Sequence, residues 1–138
     1  MEYTIIDSLG EQRTLVPKLS LYAVHDFVGK EMPGLAIDLF DVTNGSEPTQ
    51  YCSLTTSFGE FIGMKNCAYV DANNCDFCDQ LLVQGIAAAT QFSKKSGFCE
   101  YPLWLFEENT LREMGEDAYE IYNSSYEKYM ADKMPPNE

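Results

Sequence analysis

Apolar and polar positions alternate through most of the first 70 residues, and the pattern changes to a helical period near the end of the chain. Tyr3 to Leu9 and Lys18 to Phe27 read as strands, the second with Leu19, Leu21 and Ala23 alternating against Ser20, Tyr22 and Val24. Gly29 to Gly34, with Pro33, reads as a break. From Gly34 to Asp41 the alternation resumes, with Leu35, Ile37 and Leu39 on one side and Ala36, Asp38 and Phe40 on the other. A polar loop containing Asn44-Gly45 leads into Gln50 to Phe58, which carries Cys52, Leu54 and Phe58 on one face, and the two runs together predict a hairpin.

Beyond Gly59 to Gly63, Cys67-Ala68-Tyr69-Val70 predicts a short strand ended by Asp71-Ala72-Asn73-Asn74. Asn74 is placed to cap a helix whose apolar positions Phe77, Cys78, Leu81 and Leu82 keep helical spacing and which ends near Gly85. Ala87 to Phe92 and Phe98 to Phe106 predict a second hairpin across Ser93-Lys94-Lys95-Ser96-Gly97, with Pro102 at an edge or a bulge. From Asn109 to about Lys133 the period is helical, stopping before Pro135-Pro136. Leu111, Met114, Ala118, Ile121, Tyr122, Ser125 and Tyr129 form its expected buried stripe, and Gly115 marks a weak point or a break.

Consecutive strand patterns joined by hairpin-length loops, without crossover helices between them, predict an α+β fold. It consists of an antiparallel sheet of about five or six strands, a short helix after Asn74 and a longer amphipathic C-terminal helical segment. Residues 1–134 are expected to form one domain and 135–138 a short tail. At 138 residues with 45% hydrophobic positions, including eight Phe, nine Tyr and one Trp, the chain has the material for a core.

Charge narrows the functional classes. Twenty-two acids against nine Lys and Arg give a formal net charge of -13, spread along the whole chain. That field repels phosphate backbones, so direct nucleic-acid binding is disfavoured, and it attracts basic protein surfaces. The N-terminal residues have no basic segment followed by an apolar run, and no stretch approaches the roughly 18 apolar residues of a membrane span, so the expected location is cytoplasmic. Five cysteines, an odd number, fit reduced thiols in such a compartment.

Several constellations bear on chemistry. Cys75-Asp76-Phe77-Cys78 is a C-x-x-C, but Cys67 and Cys99 stand alone and do not make the second close pair of a four-thiolate zinc site. The expected outcome is Cys78 facing the core and Cys75 beginning a helix. A redox role for this pair lacks the strand-to-helix crossover of a thioredoxin fold. Asp71-Ala72-Asn73-Asn74-Cys75-Asp76 starts like a calcium loop and fails at position six, Asp76, and position twelve, Leu82. His25, the single histidine, limits acid-base catalysis. Phe98, Tyr101, Trp104 and Phe106 lack the basic surround of a base-stacking platform, and Lys94-Lys95 reads as a solvated loop tip. No metal or cofactor is therefore expected.

Leu35-Ala36-Ile37-Asp38-Leu39-Phe40, Tyr69-Val70-Asp71-Ala72-Asn73-Asn74 and Ser96-Gly97-Phe98-Cys99-Glu100-Tyr101-Pro102-Leu103 together resemble a family of small bacterial proteins of unknown function carried on conjugative and other mobile elements. The middle motif of that family is usually Asp-Thr-Asn-Asn, and Ala72 departs from it. The resemblance covers about residues 35–106 and implies a genetic setting, with no reaction or catalytic residue attached.

Two readings compete. In the first, the protein is a non-enzymatic interaction protein, and Glu113, Glu116, Asp117, Glu120 and Glu127 on the final helix form a partner-binding surface. No Lys or Arg lies within the run 113–120. Carboxylates three or four residues apart on a helix lie about 5–6 Å apart, near the step between phosphates, so such a face imitates a nucleic-acid backbone. The partner would be the basic surface of a host nucleic-acid-handling protein, as for anti-restriction and anti-CRISPR inhibitors. In the alternative, the protein is a small metal-dependent or thiol enzyme using the Asp71 to Cys78 region.

Overall fold

The computed structural model describes residues 1–133, in which the chain forms eight strands and three α-helices. Strands β1 (Tyr3–Ile6), β2 (Gln12–His25), β3 (Glu31–Asp41) and β4 (Thr49–Ser53) make an antiparallel sheet in that order. A second antiparallel sheet, in the order β5-β6-β8-β7, is built from β5 (Thr55–Thr56), β6 (Cys67–Val70), β7 (Ala88–Ser96) and β8 (Cys99–Leu105). The helices are α1 (Cys78–Val83), α2 (Glu108–Met114) and α3 (Glu116–Lys133). The α+β class and antiparallel pairing are as expected, with the strands divided between two sheets.

That division happens at Leu54, inside what the alternation presented as one strand from Gln50 to Phe58. The Leu54 N–H donates to Ile37 O of the first sheet (2.9 Å), and its carbonyl accepts from Asp71 N–H (2.8 Å) just beyond β6. Its side chain is fully buried, so the chain is pinned where it passes from one sheet to the other. A register irregularity between Leu39 and Phe40 marks the same region on β3.

The predicted break at Gly29 to Gly34 is shorter than the sequence suggested. The reversal is completed between Asp26 and Lys30, where Asp26 Oδ1 accepts from the backbone N–H groups of Val28 (3.0 Å) and Lys30 (2.8 Å). Pro33 lies within β3, opposite Ala23. Because β4 pairs only with Asp38 to Asp41, this part of β3 is an edge and the missing proline N–H leaves no ladder bond unmade.

One core cluster joins both sheets and all three helices, through Ile5, Leu15, Ile37, Leu39, Leu54, Val70, Leu81, Trp104, Phe106, Leu111 and Tyr119. Burying each such side chain contributes roughly 1.5–3 kcal/mol before conformational entropy is set against it. Trp104 and Phe106 therefore belong to the core, while Phe98 at the β7–β8 turn is fully exposed and Tyr101 packs edge-on against Phe58. Lys94 and Lys95 lie on β7 rather than in a loop; Lys94 pairs with Glu60 and its ammonium sits over the Phe58 ring.

Helix α1 starts at Cys78, three residues later than an Asn74 cap would place it, because Asn74 and Cys75 are held in a turn by their N–H groups donating to Asp71 O (3.2 and 2.8 Å). The Asn74 side chain donates back to Asp71 Oδ2 at 2.7 Å. Gly85, at φ +85°, ends the helix as expected.

The C-terminal helical segment breaks at Gly115 into α2 and α3. A Cβ on Gly115 would stand 2.8 Å from Leu19 O of β2, so the close approach of this junction to the sheet requires glycine. Leu111, Met114, Tyr122 and Tyr129 are buried as expected, but Tyr119 and Tyr126 are buried as well, while Ile121 is 58% exposed. Each of the four tyrosines has a polar partner for its hydroxyl: Tyr119 donates to Asn66 Oδ1 (2.8 Å), Tyr122 accepts from Asn66 N–H (2.9 Å), Tyr126 donates to Gly63 O (2.5 Å) and Tyr129 donates to Asp26 Oδ2 (3.0 Å). Tyrosine suits this interface because its ring is buried while its hydroxyl is satisfied. The stop at Pro135-Pro136 and the tail 135–138 lie outside the described residues.

Candidate functional site

The exposed side of α2 and α3 carries the acidic residues singled out in the sequence. Glu113, Glu116, Asp117, Glu120 and Glu127 are all exposed, opposite the tyrosine face. Their charge is not uncompensated, however. Arg112, one residue before the run, donates from Nε to Glu108 (2.9 Å) and from Nη1 to Glu116 (2.9 Å) and Glu120. Its guanidinium lies 4.8 Å from the Tyr119 ring centroid, and the carboxylates, Glu120 foremost and then Glu108, hold its pKa above the ordinary arginine value. Glu127 pairs with Lys65 of the β5–β6 connection at 2.7 Å. Glu113 and Asp117 make no ion pair among the described residues; Glu113 adds to burial in raising the Tyr3 phenol pKa.

The result is three carboxylates ordered around one cation, flanked by two that have none. Such a cluster keeps a net negative potential while its members are restrained, so little side-chain entropy would be lost on contact with a cationic group. Elsewhere on the surface, Arg13 joins Asp7 (2.8 Å), Asp41 (2.8 Å) and Glu11 (3.6 Å) at the β1–β2 end of the first sheet.

The Asp71 to Cys78 region is arranged differently from the C-x-x-C expectation. Cys78 faces the core as predicted, and burial, with Asp79 and Cys75, pushes its thiol up to about 11. Cys75 does not begin a helix. It is fully buried, its Sγ stands 3.2 Å from Cys52 Sγ on β4, and it donates to Ser53 O at 3.3 Å. The contact with Cys75 holds the Cys52 thiol below its ordinary pKa, while the same contact and burial raise that of Cys75. All five cysteines are free thiols. Among the described residues no three His, Cys, Asp or Glu side chains are grouped to hold a metal ion.

His25 ends β2 with an exposed side chain; its backbone bonds to Gly59 O and Phe61 N–H, and its imidazole has no hydrogen bond among the described residues. A cavity between the two sheets, bordered by Tyr22, Phe58, Tyr69 and Tyr122, has a volume of about 30 Å³, room for one or two waters. No helix among the described residues is long and apolar enough to cross a membrane.

A family model described as Domain of unknown function (DUF4313) matches residues 26–126, and the chain belongs to that family. Neither the curated proteins nor the solved structures contain a match to it.

Proposed function

We propose that this member of the DUF4313 family is a non-enzymatic acidic interaction protein of a mobile element, which binds the basic nucleic-acid-binding surface of a host defence protein and blocks it, as anti-restriction and anti-CRISPR inhibitors do. The observation that carries the reading is the ordered carboxylate cluster of α2 and α3, exposed on a chain whose formal net charge is -13. Arg112 leaves the cluster acidic and restrains it. A protein of this charge reaches a basic groove by electrostatic steering and is itself repelled by nucleic acid. The sequence resemblance to proteins of conjugative elements supplies the setting, in which host defence nucleases are the natural targets.

The experiment is capture of partners from host lysate on the immobilised protein at low and high salt, followed by competition of each partner with duplex DNA. Arg112 determines the choice of variant. Reversing Glu116 and Glu120 to Lys would confront its guanidinium with two new cations, so the informative change is the double variant Glu113→Gln, Asp117→Asn, which removes the two unpaired charges and leaves the Arg112 network intact. The reading expects a nucleic-acid-handling partner that is eluted by salt, displaced by duplex DNA and held more weakly by the variant. A partner indifferent to salt, DNA and variant would overturn it.

A further inference from the structure

We infer that Cys52 and Cys75 form a thiol-disulfide modification site, with a low-molecular-weight disulfide of the glutathione class as oxidant. The two sulfurs, 23 residues apart in sequence, stand 3.2 Å from each other. A disulfide needs about 2.05 Å, so a movement of about 1 Å closes the bond. Both backbones are in a position to provide it. Cys52 lies on β4, a five-residue strand at the edge of the first sheet beside a register irregularity, and Cys75 lies in the turn before α1 rather than inside an element.

The surroundings divide the roles. Cys52 is partly exposed whereas Cys75 is fully buried, so Cys52 is the thiol an external disulfide meets. Cys75, fully buried and bonded to Ser53 O, is the resolving thiol. In the first step the Cys52 thiolate attacks one sulfur of glutathione disulfide. The glutathione S–S bond breaks, one glutathione leaves as a thiolate, and Cys52 carries the other as a mixed disulfide. Cys75 then loses its proton to the departing thiolate and attacks the Cys52 sulfur, expelling the second glutathione. Two protein thiols are oxidised to one disulfide, and one glutathione disulfide is reduced to two thiols. The bond ties the edge of the first sheet to the segment that follows β6 in the second. Cys78, adjacent in sequence but turned into the core, is not the partner.

The test is equilibration of the full chain in glutathione mixtures of increasing oxidised fraction, acid quenching, alkylation under denaturing conditions, and mapping of linked peptides by mass spectrometry. The expected result is a single Cys52–Cys75 link, reversed by reduced glutathione, with Cys67, Cys78 and Cys99 alkylated. Cys78→Ala should keep the link, and Cys75→Ser should accumulate a Cys52–glutathione mixed disulfide. The wild-type map decides by itself if the Ser variant does not fold. A Cys75–Cys78 link, or Cys52 and Cys75 both alkylated in glutathione disulfide alone, would overturn the assignment.

Discussion

The side-chain amide of Gln84 serves Thr4 as a neighbouring strand would: its Oε1 accepts from Thr4 N–H at 3.1 Å and its Nε2 donates to Thr4 O at 2.7 Å. One turn earlier on α1, Gln80 does the same for Ile6, at 2.8 and 2.9 Å. The open edge of β1, which would otherwise present unpaired backbone groups to another chain, is thereby covered by two glutamines at i and i+4. Gln84→Ala returns two backbone groups to water and should cost about 1 kcal/mol, with Gln80→Ala, Gln84→Ala together costing about twice that. Hydrogen exchange should report it locally, with the amides of Thr4 and Ile6 accelerated while β3 amides keep pace only with the global loss.

Asn66 is the anchor on which α3 docks. It holds a left-handed φ of 65°, its side chain accepts from Tyr119, its N–H donates to Tyr122 and its carbonyl accepts from Phe106 N–H. Asn66→Ala removes the Tyr119 partner and adds left-handed strain, for a loss of about 2–4 kcal/mol; Asn66→Gly keeps the backbone conformation and should cost about 1 kcal/mol less. Urea denaturation of the two variants beside Tyr119→Phe would check the ordering, since Tyr119→Phe should be less harmful on the Asn66→Gly background than on wild type.

Stability should fall in acid through the Arg13 cluster. Asp7 is held below the usual carboxylate pKa by the backbone N–H of Glu11, by Arg13 and by the N–H of Leu9. At Asp41 burial opposes the shift, but the Thr43 hydroxyl and N–H and Arg13 outweigh it. Both folded pKa values lie below the unfolded value near 4, so their contribution is full above about pH 4 and is lost as pH falls through the folded values. Arg13→Gln should therefore lower the denaturation midpoint at pH 7 and flatten its decline below about pH 4, as urea titrations across that range would show.

Much of the fold was readable because period-2 and helical patterns are local. The Asn44-Gly45 hairpin and the end of α1 at Gly85 each depend on a residue whose own backbone preference is decisive, and the break at Gly115 on a glycine that the sheet approaches closely. The transfer between sheets at Leu54 was not readable, since a strand that changes partners keeps the same alternation. The buried face of α3 was readable only in part: Tyr122 and Tyr129 fall on the expected stripe, but Tyr119 and Tyr126, with hydroxyl partners in a distant loop, do not. The Arg112 network was missed by looking only within residues 113–120, although its spacing is local: Glu108 and Glu116 flank Arg112 at four residues on either side. The Cys52–Cys75 approach left no local sign, and the nearby Cys75–Cys78 spacing pointed elsewhere.

The most direct test of the proposed role is the salt dependence of complex formation with a captured nucleic-acid-handling partner, measured with and without a competing DNA duplex. Complexation through the acidic face of α2 and α3 predicts an affinity that falls steeply between 50 and 200 mM salt, on the order of tenfold or more, competition by the duplex, and a shallower salt slope for Glu113→Gln, Asp117→Asn. An affinity unchanged by salt, duplex and the double variant would contradict it, and would leave the acidic face of the helix as solvated surface only.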